Sequence, residues 1–191
     1  MRRVIYTMNK ILELKKVADF AKPYLKKADA IHGLKHIEMV VRYSSIIAEK
    51  EGADKRLCLI AAYLHDIKRS KKWIKETKNN NHGIKSAKIA ERFLISNGLK
   101  RSEVKEICKA ISLHCFPKTQ KILISKILWD ADKLGLFSKE MEKDHCSYWR
   151  IKLGNKDRAI KKLQETRKFY IKYFHTKTAK EIVAAMIKKR E

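Results

Sequence analysis

The sequence predicts an all-α helical bundle. Apolar residues recur at three- and four-residue steps along nearly the whole chain, without sustained two-residue alternation and without an Asn-Gly or Asp-Gly step set between alternating segments. Gly and Pro are scarce, 6 and 2 in 191 residues, so loops are few. Hydrophobic residues at 45% and charged residues at 35% describe a globular chain with enough apolar material for a core, not a disordered one.

The elements follow in order. A first helix is expected over about 8–21, stopping before Pro23, and a second from 34 to Lys50, closed by Gly52. Asp54 is placed to cap a third, "KRLCLIAAYLHDI". The segment "KRSKKWIKETKNNNHG" is polar and Asn-rich, the longest irregular stretch, and reads as an exposed loop able to carry function. A helix over 84–96 ends at Gly98, and Ser102 is expected to cap another through His114, ended by Pro117. Further helices are expected over 120–137, 156–174 and 177–190, with no internal repeat and no linker to split the chain.

The formal charge of +25, from 46 Lys and Arg against 21 Asp and Glu, attracts polyanions such as nucleotides, nucleic acids and anionic lipid surfaces. It fits a background lysine excess equally well, because the lysines spread along the whole chain. Cys58, Cys108, Cys115 and Cys146 show no CxxC spacing and no disulfide framework, as suits a reducing cytosol, and read as core or near-surface thiols. The basic "MRRVIYTMNK" is followed by "ILELKKVADF", not an apolar signal core, and the longest apolar run, "LCLIAAYL", is far below the ~18 residues of a membrane span. A cytoplasmic protein with no membrane partner is expected.

Ionisable residues stand where burial is most expensive. His36 shares a helix face with Val40, Tyr43 and Ile47, and His65 shares one with Cys58, Ala61 and Ala62, whose small side chains leave room beside it. One inward histidine is usually a hydrogen-bonded core residue. Two inward histidines with Asp66 adjacent are harder to accommodate, since an unpaired buried carboxylate costs several kcal/mol, on the order of 3–5. In "ILWDADKLG", Asp130 and Asp132 again follow an apolar run. Imidazoles with carboxylates are a donor set that a transition metal accepts, and His36, His65, Asp66 and Asp132 would make a mixed N/O site.

The ordered set "HGLKHIEMV", "AAYLHDI", "NHGIKSAKIAERFL", "AISLH" and "ILWDADKLG" resembles the HD-domain metal-dependent phosphohydrolases over about residues 30–136. The resemblance implies an HD-type core over about 30–136, and with no linker in the chain a single domain over 1–191 is expected, its C-terminal helices over about 138–191 packed on that core. It implies metal ligation by His36, His65, Asp66 and Asp132. His82 and His114 occupy positions that in some members bind a second metal and in others contact substrate phosphate. His32, beside Gly33 at the helix start, takes a substrate-facing or structural role, with structural preferred. Asp130 is assigned to the helix surface or to support of the ligands, and His145 and His175 match no motif.

The activity implied is hydrolysis of a phosphoester or phosphoanhydride, in a nucleotide by preference. One divalent transition metal (Mn, Fe, Ni, Co or Zn) is expected, with room for a second. Asp66, His82 and His114 are the catalytic candidates. Lys68, Arg69 and Lys133 could approach a phosphate, each with the competing reading of a solvated helix-end charge. Trp73 in the loop could stack on a base or simply anchor the loop. The alternatives are a nucleic-acid-binding or regulatory module with a structural metal, and a di-iron oxygenase of related fold.

Overall fold

The computed structural model describes residues 2–29, 31–69 and 82–190, with side chains from residue 13 onward. The expected loop and Trp73 therefore lie outside the described residues, apart from Lys68 and Arg69 at its start and His82 and Gly83 at its end. Among the described residues there are nine α-helices and no strand: α1 (Arg2–Leu25), α2 (Leu34–Lys50), α3 (Lys55–Leu64), α4 (His82–Ser96), α5 (Arg101–Leu113), α6 (Leu123–Leu134), α7 (Lys139–Leu153), α8 (Lys156–Tyr170) and α9 (Lys177–Lys188). No described helix is long and apolar enough to cross a membrane.

The short helix α3 lies at the centre, packed against α1, α2, α5 and α6. Its Leu57, Cys58, Ile60, Ala61, Ala62 and Leu64 are all buried, which is why it reads as an almost unbroken apolar run. Asp54 caps it as expected, its side chain accepting from the Leu57 N–H at 3.2 Å. Arg56 ties three elements together, donating to Glu13 of α1 at 2.8 Å and pairing with Glu103 of α5. Helix α2 ends at Lys50 and the chain turns through Gly52 at φ 67°, a left-handed conformation that glycine adopts without a Cβ penalty.

Several elements differ from the expectation. Helix α1 continues through Pro23 to Leu25, because a proline in the last turn removes one backbone bond without interrupting the turns that bury Val17 and Ala21. Helix α3 stops at Leu64, so His65 and Asp66 stand on the turn beyond it, where the Arg69 N–H donates to the Asp66 carbonyl at 2.8 Å. Helix α5 begins at Arg101 rather than after Ser102: Glu103 reaches back to accept from the Lys100 N–H at 3.3 Å. Helix α7 lies between the helices expected over 120–137 and 156–174, its start capped by Ser138 and its end closed by Gly154 at φ 69°. It docks on α2 through Lys35 to Asp144 and Arg42 to Glu140, at 2.6 and 2.8 Å.

Helix α9 is fastened to α6 by Asp130. The carboxylate is fully buried and accepts from the His175 N–H at 2.9 Å and from the Thr176 N–H and hydroxyl, both at 2.7 Å. Asp130 is thus not a helix-surface group. Its neighbour Asp132 faces the opposite requirement, and the two acids of "DAD" divide anchoring from site chemistry.

Candidate metal centre

Helix ends bring the polar residues together. His65 and Asp66 follow α3, His82 opens α4 and His114 follows the last residue of α5, while His36 and Asp132 project from within α2 and α6. All six are buried or nearly so: His36, His65, Asp66, His82 and His114 are at most 5% exposed, and the Asp132 side chain is 11% exposed. His36, His65 and Asp66 form one group whose donor atoms lie within 4.8 Å of one another, and His65, His114 and Asp132 form another. The His36 Nε2 is 3.3 Å from Asp132 Oδ1, and the His65 Nε2 is 3.6 Å from Asp66 Oδ2.

These residues fit a divalent metal. The His65 Nδ1 is 2.8 Å from the Ala62 carbonyl, which can only accept, so Nδ1 carries the proton and Nε2 faces the cluster with its lone pair. Among the described residues that Nε2 has no hydrogen-bond partner, nor does the His36 Nδ1, while the His36 Nε2 faces the Asp132 carboxylate. Buried polar atoms are seldom left so, and imidazole nitrogens converging with two carboxylates are what a borderline cation requires.

The local electrostatics agree. Burial pushes His65 down to about 4, which keeps it neutral and able to bind a cation. Burial would raise Asp66, yet His65, with hydrogen bonds from His114 and His82, holds it well below the usual carboxylate range. Asp132 is likewise held low against burial, chiefly by Lys133 and then by His36. His82 and His114 move the other way: burial opposes their protonation, but hydrogen bonds to Asp66 and the sulfur of Cys115 raise both, His114 most.

A cleft opens on the cluster, lined by His32, Asp66, Arg69, His82, His114, Cys115, Asp132 and Lys133. The Lys133 ammonium is 2.6 Å from Asp132 Oδ2 and sits over the Trp129 and Tyr170 rings at 4.9 and 5.3 Å, so its position is set by the core. Arg69 reaches to 3.3 Å from the His82 Nε2. Lys68 is exposed and is not among the lining residues; its backbone N–H donates to Ser86 of α4 at 3.1 Å. His32 lines the cleft and is held by Asp29 at 2.5 Å. His145 is buried and burial pushes it to about 4, a neutral core residue; His175 pairs with the Pro117 carbonyl at 3.0 Å.

Three residues beyond the expected site residues shape the cleft. Cys115 belongs to the cleft, and its only signal was adjacency to His114. Ser86 holds the turn after Asp66. Gly83 lets α4 meet α5: a Cβ there would stand 2.9 Å from the Ile111 carbonyl and 3.2 Å from the His114 Nδ1. The signal for Gly83 was its place beside His82 at a helix start, where glycine has no helix-forming advantage.

The comparisons with known proteins agree with this architecture. A predicted HD superfamily hydrolase from an uncultured Thermotogales bacterium is 27% identical, covering 91% of this chain and 84% of its own, with a TM-score of 0.67. Bacillus subtilis YpgQ, crystallised in complex with ADP, is 17% identical over 93% of this chain and 88% of its own, with a TM-score of 0.71, and a Lactobacillus plantarum protein is 20% identical over 91% and 89%, at 0.69. No match was found among curated protein sequences. The HD domain family model matches residues 33–135, from the residue before α2 to the end of α6 and thus across every residue of the buried cluster, and the chain belongs to the HD-domain family.

Proposed function

We propose that this protein is a metal-dependent phosphohydrolase that cleaves a phosphoester or phosphoanhydride bond of a nucleotide. The observation that carries the reading is a cluster of buried imidazoles and carboxylates whose Asp66 and Asp132 line one cleft together with two cations, Arg69 and Lys133. The 27%-identical HD superfamily hydrolase supports the reaction class, and the ADP complex of YpgQ supports the substrate class.

His36, His65, Asp66 and Asp132 would hold one divalent ion. When bound, that ion supplies Lewis acidity toward a phosphoryl oxygen and lowers the pKa of water toward neutrality. Arg69 and Lys133 neutralise phosphate oxygens entering the cleft, Arg69 in the planar geometry suited to them. His82 and His114, raised by Asp66 and Cys115, hold protons beside the phosphate and can deliver one to a leaving oxygen. Asp66 orients both imidazoles, its Oδ1 standing 3.1 and 3.3 Å from their Nε2 atoms.

The test is phosphate or pyrophosphate release from a panel of nucleotides, with added manganese and with chelator, alongside elemental analysis. Asp132→Ala and His65→Ala are expected to lose metal and turnover with the helical circular dichroism retained. His82→Ala and His114→Ala should keep about one metal per chain and lose turnover. Near-normal metal and turnover in Asp132→Ala would sink the assignment, and bound iron with oxygen consumption but no phosphate release would replace it with the oxygenase.

A further inference from the structure

Helix α7 brings an aromatic pair to the side of the bundle that carries His32. The rings of Tyr148 and Trp149 meet at 5.3 Å and 80°. Tyr148 in turn stands edge-on to His32 at 6.3 Å, and His32 stands edge-on to His36 at 5.8 Å. Because His32 lines the cleft and His36 belongs to the metal cluster, these three rings lead in two steps from the cluster, past the cleft wall, to Tyr148 just outside the lining.

Two features leave a face of Tyr148 available. The residue is half-buried, yet it does not pack on the hydrophobic core as Tyr24, Tyr43 and Tyr63 do. The exposed Lys152 holds its ammonium 4.5 Å from the ring centre, so on that face the ring meets a movable, solvated side chain instead of packed core. His32, by contrast, is fixed. Its Nδ1 lies 2.5 Å from Asp29 Oδ1, and the Ile31 N–H donates to the same oxygen at 3.2 Å. Helix α7 is itself tied to α2 by Lys35 to Asp144 and Arg42 to Glu140. A rigid wall thus separates the cations of the cleft from an open aromatic face, which matches a ligand with an anionic end and a planar π-rich end joined by a short spacer. Base stacking on an aromatic ring is stronger than an exposed cation–π contact, so a base displaces the Lys152 ammonium.

We propose that Tyr148 is the platform on which the base of the nucleotide stacks, with His32 lining the passage between base and phosphate. The inference rests on the nucleotide reading of the cleft and adds the element that reads the nucleoside. Helix α7 lies beyond residues 33–135, so this element is not part of the pattern the chain shares with its family. Stacking responds to ring area, so purines bind more tightly than pyrimidines.

The experiment titrates the full-length protein with AMP, UMP and ribose 5-phosphate, the last differing from the nucleotides only in lacking the base. In the wild type AMP should bind roughly 5- to 100-fold more tightly than ribose 5-phosphate, with UMP between them. That gap is expected to close in Tyr148→Ala and to persist in Tyr148→Phe, which keeps the ring. A tyrosine that merely supported the cleft would weaken all three ligands together and leave the gap in place. Equal affinities in the wild type, a gap that survives Tyr148→Ala, or UMP bound more tightly than AMP overturns the proposal. Nucleotide hydrolysis without the gap refutes the platform alone; a Tyr148-dependent gap without phosphate or pyrophosphate release under any metal refutes the phosphohydrolase reading alone.

Discussion

Replacing Gly83 with alanine tests how the site is assembled rather than what it contains. The new Cβ would stand 2.9 Å from the Ile111 carbonyl, 3.1 Å from that of Ser112 and 3.2 Å from the His114 Nδ1, where ordinary contact begins at 3.4 Å. The shortfall at Ile111 is about 0.5 Å, and two of the three obstructing atoms are backbone, so α4 and α5 must move apart. Overpacking of this kind costs about 1–3 kcal/mol. At about 2–4 °C per kcal/mol for a chain of this size, the melting temperature should fall by roughly 2–12 °C. The same displacement pulls His82 from His114 and disturbs the His114 Nδ1 bond to Ile111, and errors near 1 Å in a reacting geometry cost about 100-fold. The proposed nucleotide hydrolysis should therefore drop roughly 10- to 100-fold in kcat/KM, with metal retained at the proposed ligands His36, His65, Asp66 and Asp132. Calorimetry with steady-state kinetics reads both quantities. Wild-type melting temperature and turnover in Gly83→Ala would show that the glycine does not set the α4–α5 approach.

Asp130→Ala should leave the two backbone N–H groups and the hydroxyl at His175 and Thr176 without their buried acceptor, costing about 2–4 kcal/mol, while metal content stays unchanged; a melting temperature within error of wild type would refute the anchor. Burial favours the neutral Cys115 thiol, but His114 and then His82 pull it down to about 5 from 9.0. Because the thiolate is the reactive form, iodoacetamide labelling of Cys115 in the metal-free protein should stay near its maximum at pH 7 and fall as pH drops through about 5, whereas a midpoint near 9 would contradict the His114 contact. Oligonucleotide binding should be weak at moderate salt and mononucleotide turnover nearly salt-independent, since the +25 charge is spread over the chain; tight binding that falls steeply with salt would show a functional basic track.

The all-α class, most helix positions and the candidates His36, His65, Asp66 and Asp132 are legible in the sequence, because they depend on local periodicity and on ionisable residues that follow apolar runs, whereas His82 and His114 enter through the resemblance to the HD-domain family. His36, with its helix-face neighbours Val40 and Ile47, illustrates this: one helical turn suffices to predict its burial. Tertiary structure decided what depends on distance between elements. Ser86, Gly83 and Cys115 matter through contacts across the α3–α4 and α4–α5 junctions, which no single-helix pattern encodes. The two acids of "DAD" make the same point: both follow one apolar run, yet Asp130 meets the start of α9 and Asp132 meets His36 and Lys133. Residues two apart on a helix point in different directions, and what waits in each direction is set by the packing of the rest of the chain.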